Sequence, residues 1–356
     1  MSEKVKKGRL KAAAVAALVL ALMLIALAVC ETIVHLRAGK LDYMNAGKRW
    51  SGDGTRYAVI NAYAEASDGV SEDQVYEWEH SMDAALTEAA VFANDGARAW
   101  TWTASFETNL TLTGAKGSTS ALVTVCAGDF FTFHSLDFIC GSGFSTDGLN
   151  PMGVVLDNET AWKIFGAENI VGMTFTVDDS EYIVTGVCKP ESKRGVYGHT
   201  YGTTPRMYMS YAGYAKLGEG TFTTYECALP NPVKSFAKNI FDNVVSLNES
   251  RSDIIEITDR FSLKSRFDNM KSLGYSWIRE NRIGYPYWEN EARVYDYRYA
   301  VLMIWEIVFA SVGGAALLTA IVLIVTSGYS PIATAKNVFR KAASNSKKRK
   351  TERGNR

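Results

Sequence analysis

Few residues in this sequence have the types and spacing that chemistry requires. The acidic pair Asp178-Asp179 interrupts "TFTVDDSEYIVTGVCK". Carboxylates are abundant in this sequence, and nothing singles out one pair for catalysis. Between two runs of strand residues, Asp178 and Asp179 read as a hairpin turn. His199 sits in "YGHTYG" among small residues and tyrosines, which makes it a candidate contact for a partner or ligand. His35, His80, His134 and His199 are scattered and no close cysteine pair exists, so the spacing argues against zinc. There is no G-x-x-x-x-G-K-[ST], no H-E-x-x-H and no G-x-S-x-G. The Gly-rich "GSGFSTDG" at 141–148 lacks the strand-to-helix setting of a phosphate loop. The sequence therefore predicts a protein that is not an enzyme, with no catalytic residue, no metal and no cofactor of its own.

Glu306 stands apart, because it lies inside an apolar run, "AVLMIWEIVFASVGGAALLTAIVLIVTSG" at 300–328. A carboxylate there is costly unless it is paired, hydrated or near an interface. Ser311, Gly313, Gly314 and Ala315 follow it, and small residues permit close backbone approach. Glu306, Ser311, Gly313 and Gly314 are thus candidates for a helix–helix contact.

The elements that would position these residues begin with the membrane. Residues 12–29 are 18 uncharged residues, and both this run and 300–328 have the length of a bilayer span. A signal peptide is the competing reading of the first, since "KVKKGRLK" resembles an n-region. The formal net charge is zero, yet residues 1–11 carry +4, residues 336–356 carry +8 and the middle carries −12. By the positive-inside rule both termini are cytoplasmic. The expected layout is a basic N-terminus (1–11), a transmembrane helix (12–34), an extracytoplasmic domain (35–299), a second transmembrane helix (300–327) and a basic tail (328–356) in a cell membrane. Next to a membrane span, basic ends meet anionic lipid rather than nucleic acid. Cys126, Cys140, Cys188 and Cys227 would lie outside, where disulfides persist, and three pairings stay open.

The central region reads as mixed α+β, with at least two sheet segments separated by helices. Tyr57 to Ala64 alternates as a strand. Ser71 caps a helix, with Gln74 completing a capping box and Val75, Trp78, Met82, Leu86 and Ala89 on its apolar face. Two strands flank a turn marked by Gly114 and Gly117. "GVVLDNETAWKIFG" is a strand entering a helix capped by Asp157 or Asn158 and ended by Gly166. "RMYMS" and "TYECALP" are further strands, and Val233, Phe236, Ile240 and Val244 or Val245 mark one side of a helix. The aromatic and charged "YPYWENEARVYDYRY" suits a water–membrane boundary. Residues 330–342 could form an amphipathic helix or a basic anchor.

One stretch of about 65 residues resembles the periplasmic core domain of the MacB-type permeases. The matching residues are Gly128, Phe130, Phe131, Gly141, Gly143, Phe144, Ala161, Phe165, Gly166, Ile170, Gly172, Val184, Gly186 and Val187. The resemblance implies a MacB-like α+β extracytoplasmic domain held by two transmembrane helices. It also implies an ABC-type transport or mechanotransmission complex, in which a partner ATPase binds ATP and moves the outer domain. Family permeases usually carry four membrane helices, and this sequence shows one apolar run after the outer domain. The expectation is a shortened two-helix member that pairs with an ABC ATPase subunit and a fuller permease or a second copy of itself. The alternative is an extracytoplasmic binding or signalling module for a peptide or cell-wall ligand, without ATP coupling.

Overall fold

In a computed structural model of the chain, residues 3–51, 54–92, 98–146, 150–191, 198, 200–273 and 282–327 are described. Contacts divide the chain into two units, 1–33 with 302–356, and 34–301.

The smaller unit is built from two helices. Helix α1 (Glu3–Ala38) and helix α9 (Tyr287–Ser327) contribute residues up to Ile33 and from Leu302 onward. Both are long and apolar enough to cross a membrane. Gly313 of α9 lies against α1, since a Cβ there would come 3.3 Å from Met23 Cβ. Arg9 Nη1 donates to the Thr326 carbonyl at 2.7 Å, so the two chain directions oppose. Most large apolar side chains on the pair face outward, among them Leu18, Leu24, Ile25, Leu318, Val322 and Val325.

The larger unit is organised by one sheet, not two segments. Its strands are β1 (Tyr57–Ala64), β2 (Thr101–Gly114), β3 (Gly117–Gly128), β4 (Phe138–Gly141), β5 (Gly153–Asp157), β6 (Thr174–Val177), β7 (Ser180–Cys188), β8 (Arg206–Ser210), β9 (Thr224–Pro230) and β10 (Ser252–Glu256). The order is β10-β1-β9-β2-β3-β8-β5-β7-β4, and β6 bridges β2 and β7. The pairings β2–β3–β8–β5–β7–β6–β2 therefore close a circuit. The sheet is continuous because the long β2 pairs with β9 at one end and with β6 at the other.

Local chemistry explains the helices. Ser71 Oγ accepts from Gln74 N at 3.3 Å and starts α3 (Glu72–Glu88), whose Val75, Trp78, Met82 and Leu86 are buried. Ala89 falls instead at the exposed C-cap. Asp157 accepts from Thr160 N at 2.7 Å and starts α5 (Asn158–Ile164), which packs on β2, β3, β5, β7 and β8. Helix α7 (Phe236–Val244) packs the expected Phe236, Ile240 and Val244 half-buried against the core, with Val245 buried just past its end. It also buries Ala237 and Phe241, while Val233 is exposed beyond its N-terminus. Short helices α2 (Ala46–Ser51), α4 (Phe130–Phe133), α6 (Tyr211–Tyr214) and α8 (Leu263–Lys271) complete the unit with a 3-10 turn at Asp42–Asn45.

The Asp178-Asp179 pair is the turn of the β6–β7 hairpin, with Val177 opposite Ser180 and Asp178 in the left-handed region. No disulfide forms among the described cysteines. Cys126 on β3 and Cys227 on β9 flank β2 opposite Ser105 and Trp102, so the strand spacing alone sets them about 9–10 Å apart and the register offset adds more, beyond the reach of a bridge. The Cys126 thiol bonds the Met209 carbonyl and the Cys140 thiol bonds the Glu168 carbonyl.

Candidate functional site: a buried charge network beneath helix α9

Strands β1 and β9 alternate, but both of their faces are buried. On β1, Ala58, Ile60 and Ala62 enter the hydrophobic core, while Asn61 and Tyr63 point to the other face. On β9, Tyr225, Cys227 and Leu229 enter the same core, and Thr224 and Glu226 lie opposite. An antiparallel sheet with a polar second face normally meets water. Here the first turns of α9 belong to the larger unit and cover that face. Tyr287, Trp288, Tyr295 and Tyr299 are buried with Ala292, so these four aromatics form packing contacts within the domain, while Tyr297 stays exposed.

The covered polar groups join in one network. His134 Nε2 lies 2.6 Å from Glu226 Oε2, and Asn61 Nδ2 donates to Glu226 Oε1 at 2.8 Å and to the Tyr63 hydroxyl at 3.0 Å. Tyr63 and Tyr43 each donate to Glu289 Oε2 at 3.2 Å. Arg260 grips both Glu289 oxygens at 2.7 and 2.9 Å, and meets Asp296 Oδ2 at 2.6 and 3.0 Å. Arg293 Nε lies 2.9 Å from Glu289 Oε1, and its Nη2 donates to Asp253 on β10 at 2.6 Å. Glu226 and Glu289 are fully buried.

Electrostatics follow from this burial. Burial alone would push the Arg260 guanidinium down, but the Glu289 and Asp296 carboxylates outweigh it and hold Arg260 above its ordinary value. Burial, then the Glu289 and Glu226 charges, push the Tyr63 phenol well up, so Tyr63 stays a neutral donor. A second tie lies further along. The Arg206 guanidinium on β8 pairs with Glu107 at 2.7 Å and stacks 4.6 and 4.7 Å from the Tyr201 and Tyr287 ring centres. Thr200 Oγ1 donates to the Tyr287 carbonyl at 2.7 Å. The arrangement orders charge and fixes a helix. Among the described residues no group of His, Cys, Asp and Glu is placed to hold a metal.

The residues singled out from sequence lie elsewhere. His199 is outside the described residues, as is the 330–342 segment. Glu306 is buried in the smaller unit, Gly313 meets α1, Gly314 has open space, and the Ser311 hydroxyl donates to the Ile307 carbonyl of its own helix. None of these four belongs to the network. Sequence reasoning missed Arg260, Glu289, Arg293 and Asp296. The available signal was Glu289, Arg293 and Asp296 at i, i+4 and i+7, one charged helix face within an aromatic run.

The resemblance stretch is accounted for by packing. Gly141 has φ +70°, and a Cβ there would come 2.1 Å from the Thr185 carbonyl oxygen. Gly186, opposite it on β7, leaves equally little room. Phe130, Phe144, Ala161, Phe165, Ile170, Val184 and Val187 are core residues.

The larger unit is thus a mixed α+β domain with a helix laid across the polar face of its sheet. The chain belongs to the MacB-like periplasmic core domain family, whose signature matches residues 16–240. The periplasmic region of MacB from Actinobacillus actinomycetemcomitans is 15% identical with a TM-score of 0.40, covering 59% of this chain and 92% of that one. The extracellular domain of the ABC-type transporter YknZ from Gram-positive bacteria is 14% identical with a TM-score of 0.38, covering 56% of this chain and 100% of that one. No curated protein matches the chain.

Proposed function

We propose that this chain is a non-enzymatic membrane subunit of an ABC-type transport or mechanotransmission complex. In this reading α1 and α9 cross a cell membrane, both termini are cytoplasmic, and the larger unit is the extracytoplasmic domain. A separate ABC ATPase supplies the energy, together with a fuller permease or a second copy of this chain, and the basic ends rest on anionic lipid. The outward-facing apolar side chains of both helices support membrane insertion.

One observation carries the mechanical part. The buried network holds Glu289, Arg293 and Asp296 of α9, and the same unbroken helix runs on to Ser327. At helical rise its 41 residues span roughly 60 Å. A displacement of that helix is then passed to the sheet without slack, because a bidentate Arg–carboxylate pair fixes angle as well as distance.

The test is purification of the tagged full-length chain from its native membrane in mild detergent, followed by mass spectrometry. Co-purification of an ABC ATPase in fixed proportion is the expected result. A membrane-embedded chain that recovers no ATPase would refute the coupling and favour a binding module. Reporter fusions at Arg356 and near Gly148 test topology, and an outward-facing tail would overturn the orientation.

A further inference from the structure

A cavity of about 620 Å³ opens beside the C-terminal end of α1, bounded by the 3-10 turn, α2 and the start of β1. Its depth comes from a close approach. A Cβ on Gly47 would come 2.6 Å from Tyr57 Cβ, so only glycine lets α2 settle onto β1 at that point. Met44, Tyr57 and Val59 supply apolar walls, and His35, Lys48 and Arg56 supply the charged or donor groups. No carboxylate lines the cavity among the described residues.

The neighbouring cations are not equivalent. Arg49 is committed, since it pairs with Asp42 at 2.9 Å and donates to the Thr132 and Phe133 carbonyls. Lys48 has no ion-pair partner among the described residues, and Arg56 reaches only Asp259 at 3.9 Å with both side chains more than half exposed. Such an exposed, long pair holds Arg56 weakly and leaves it available to a ligand. Two available cations above apolar walls suit a ligand with an anionic head and an apolar body.

Position selects the ligand. His35 directly follows the expected transmembrane helix (12–34), and Gly39 lies four residues further, roughly 6 Å at helical rise. That is the depth of lipid headgroups. We propose that this cavity binds the headgroup phosphate of an anionic phospholipid, with Lys48 and Arg56 on the phosphate and the glycerol region against Met44 and Val59. The proposal rests on the reading that α1 crosses the membrane. It concerns the end of α1 opposite the basic N-terminus.

The experiment uses the full chain in detergent, with lipid binding followed by native mass spectrometry. Wild type is expected to retain phosphatidylglycerol in preference to phosphatidylcholine. Lys48→Gln with Arg56→Gln is expected to lower phosphatidylglycerol affinity by about 30-fold, the effect of two basic side chains at an anionic surface. Lys48→Arg with Arg56→Lys is expected to keep it. Both termini are the same in all these proteins, so their lipid binding cancels in the comparison. Equal retention of the two lipids by wild type, or an unchanged preference in the Gln variant, would overturn the proposal. Displacement by millimolar inorganic phosphate would also overturn it, making this a soluble-anion site. Alkaline extraction of membranes separates the two readings. Release of the chain sinks the membrane reading itself, while a retained chain without lipid preference sinks only the cavity proposal.

Discussion

Replacing Arg260 with methionine removes the centre of the buried network while keeping a side chain of comparable length. Arg260 makes four contacts of 3.0 Å or less to Glu289 and Asp296. Breaking a buried pair by deleting one partner typically costs about 3–5 kcal/mol, because the other charge stays buried. Two features place this site at the lower end. Glu289 keeps Arg293 at 2.9 Å and the Tyr43 and Tyr63 hydroxyls at 3.2 Å. The Asp296 side chain is 24% exposed and can gain water. The expected loss is about 3 kcal/mol, or roughly 6–12 °C in midpoint for a domain of this size.

Urea unfolding of the full chain in detergent, followed by tryptophan emission, measures it. Trp288 is a suitable reporter, since its ring lies 4.1 Å from the His134 ring within the network. The loss should shrink when Glu289→Gln and Asp296→Asn are added, because no uncompensated charge then remains in those two positions. A loss below about 1 kcal/mol for Arg260→Met would refute the reasoning, as would a triple variant no more stable than the single one.

Other perturbations test separate parts of the fold. Gly141→Ala should destabilise the larger unit by about 2 kcal/mol or more, read by the same unfolding assay, since it combines a left-handed backbone with a carbonyl contact at 2.1 Å. Burial, then Asp178, push the Tyr182 phenol up to about 12, and the neutral phenol donates to the Gly213 carbonyl at 3.0 Å. Its folded value is raised above the ordinary 10.0, so its contribution is complete below pH 10 and is lost as pH rises through about 12. Tyr182→Phe should cost about 1 kcal/mol at neutral pH and lose less than wild type between pH 10 and 12 in pH-dependent melts. Burial pushes the Cys126, Cys188 and Cys227 thiols up, so maleimide labelling of the native protein should reach the half-buried Cys140 and spare those three. A non-reducing gel band shift on reduction would contradict the free thiols.

The legible part of this fold is the part carried by short-range rules. Ser71 and Asp157 cap helices by side chains that reach three residues on, and Asp178-Asp179 turn a hairpin between paired strands, so each is visible within a window of a few residues. What escaped the sequence is long-range. Strand β10 is short, only partly buried and anchored by Asp253, which Arg293 reaches from 40 positions away. The aromatic run 285–299 has the composition of a membrane boundary and also that of a packed interface. Composition cannot choose between them, because an amphipathic ring is satisfied at either. The choice is made by Glu226 and Asn61, whose polar strand face would stand open to water without the start of α9 above it. A buried carboxylate on a central strand therefore implies that another element brings it partners. In this chain His134 and Asn61 meet Glu226, Arg260 and Arg293 meet Glu289, and the result ties α9 to the sheet. The resemblance residues could not reveal this tie. They lie between Gly128 and Val187, and apart from Phe130, whose ring centre lies 4.6 Å from that of His134, they serve packing, close backbone approach or, at Gly172, a left-handed turn away from it.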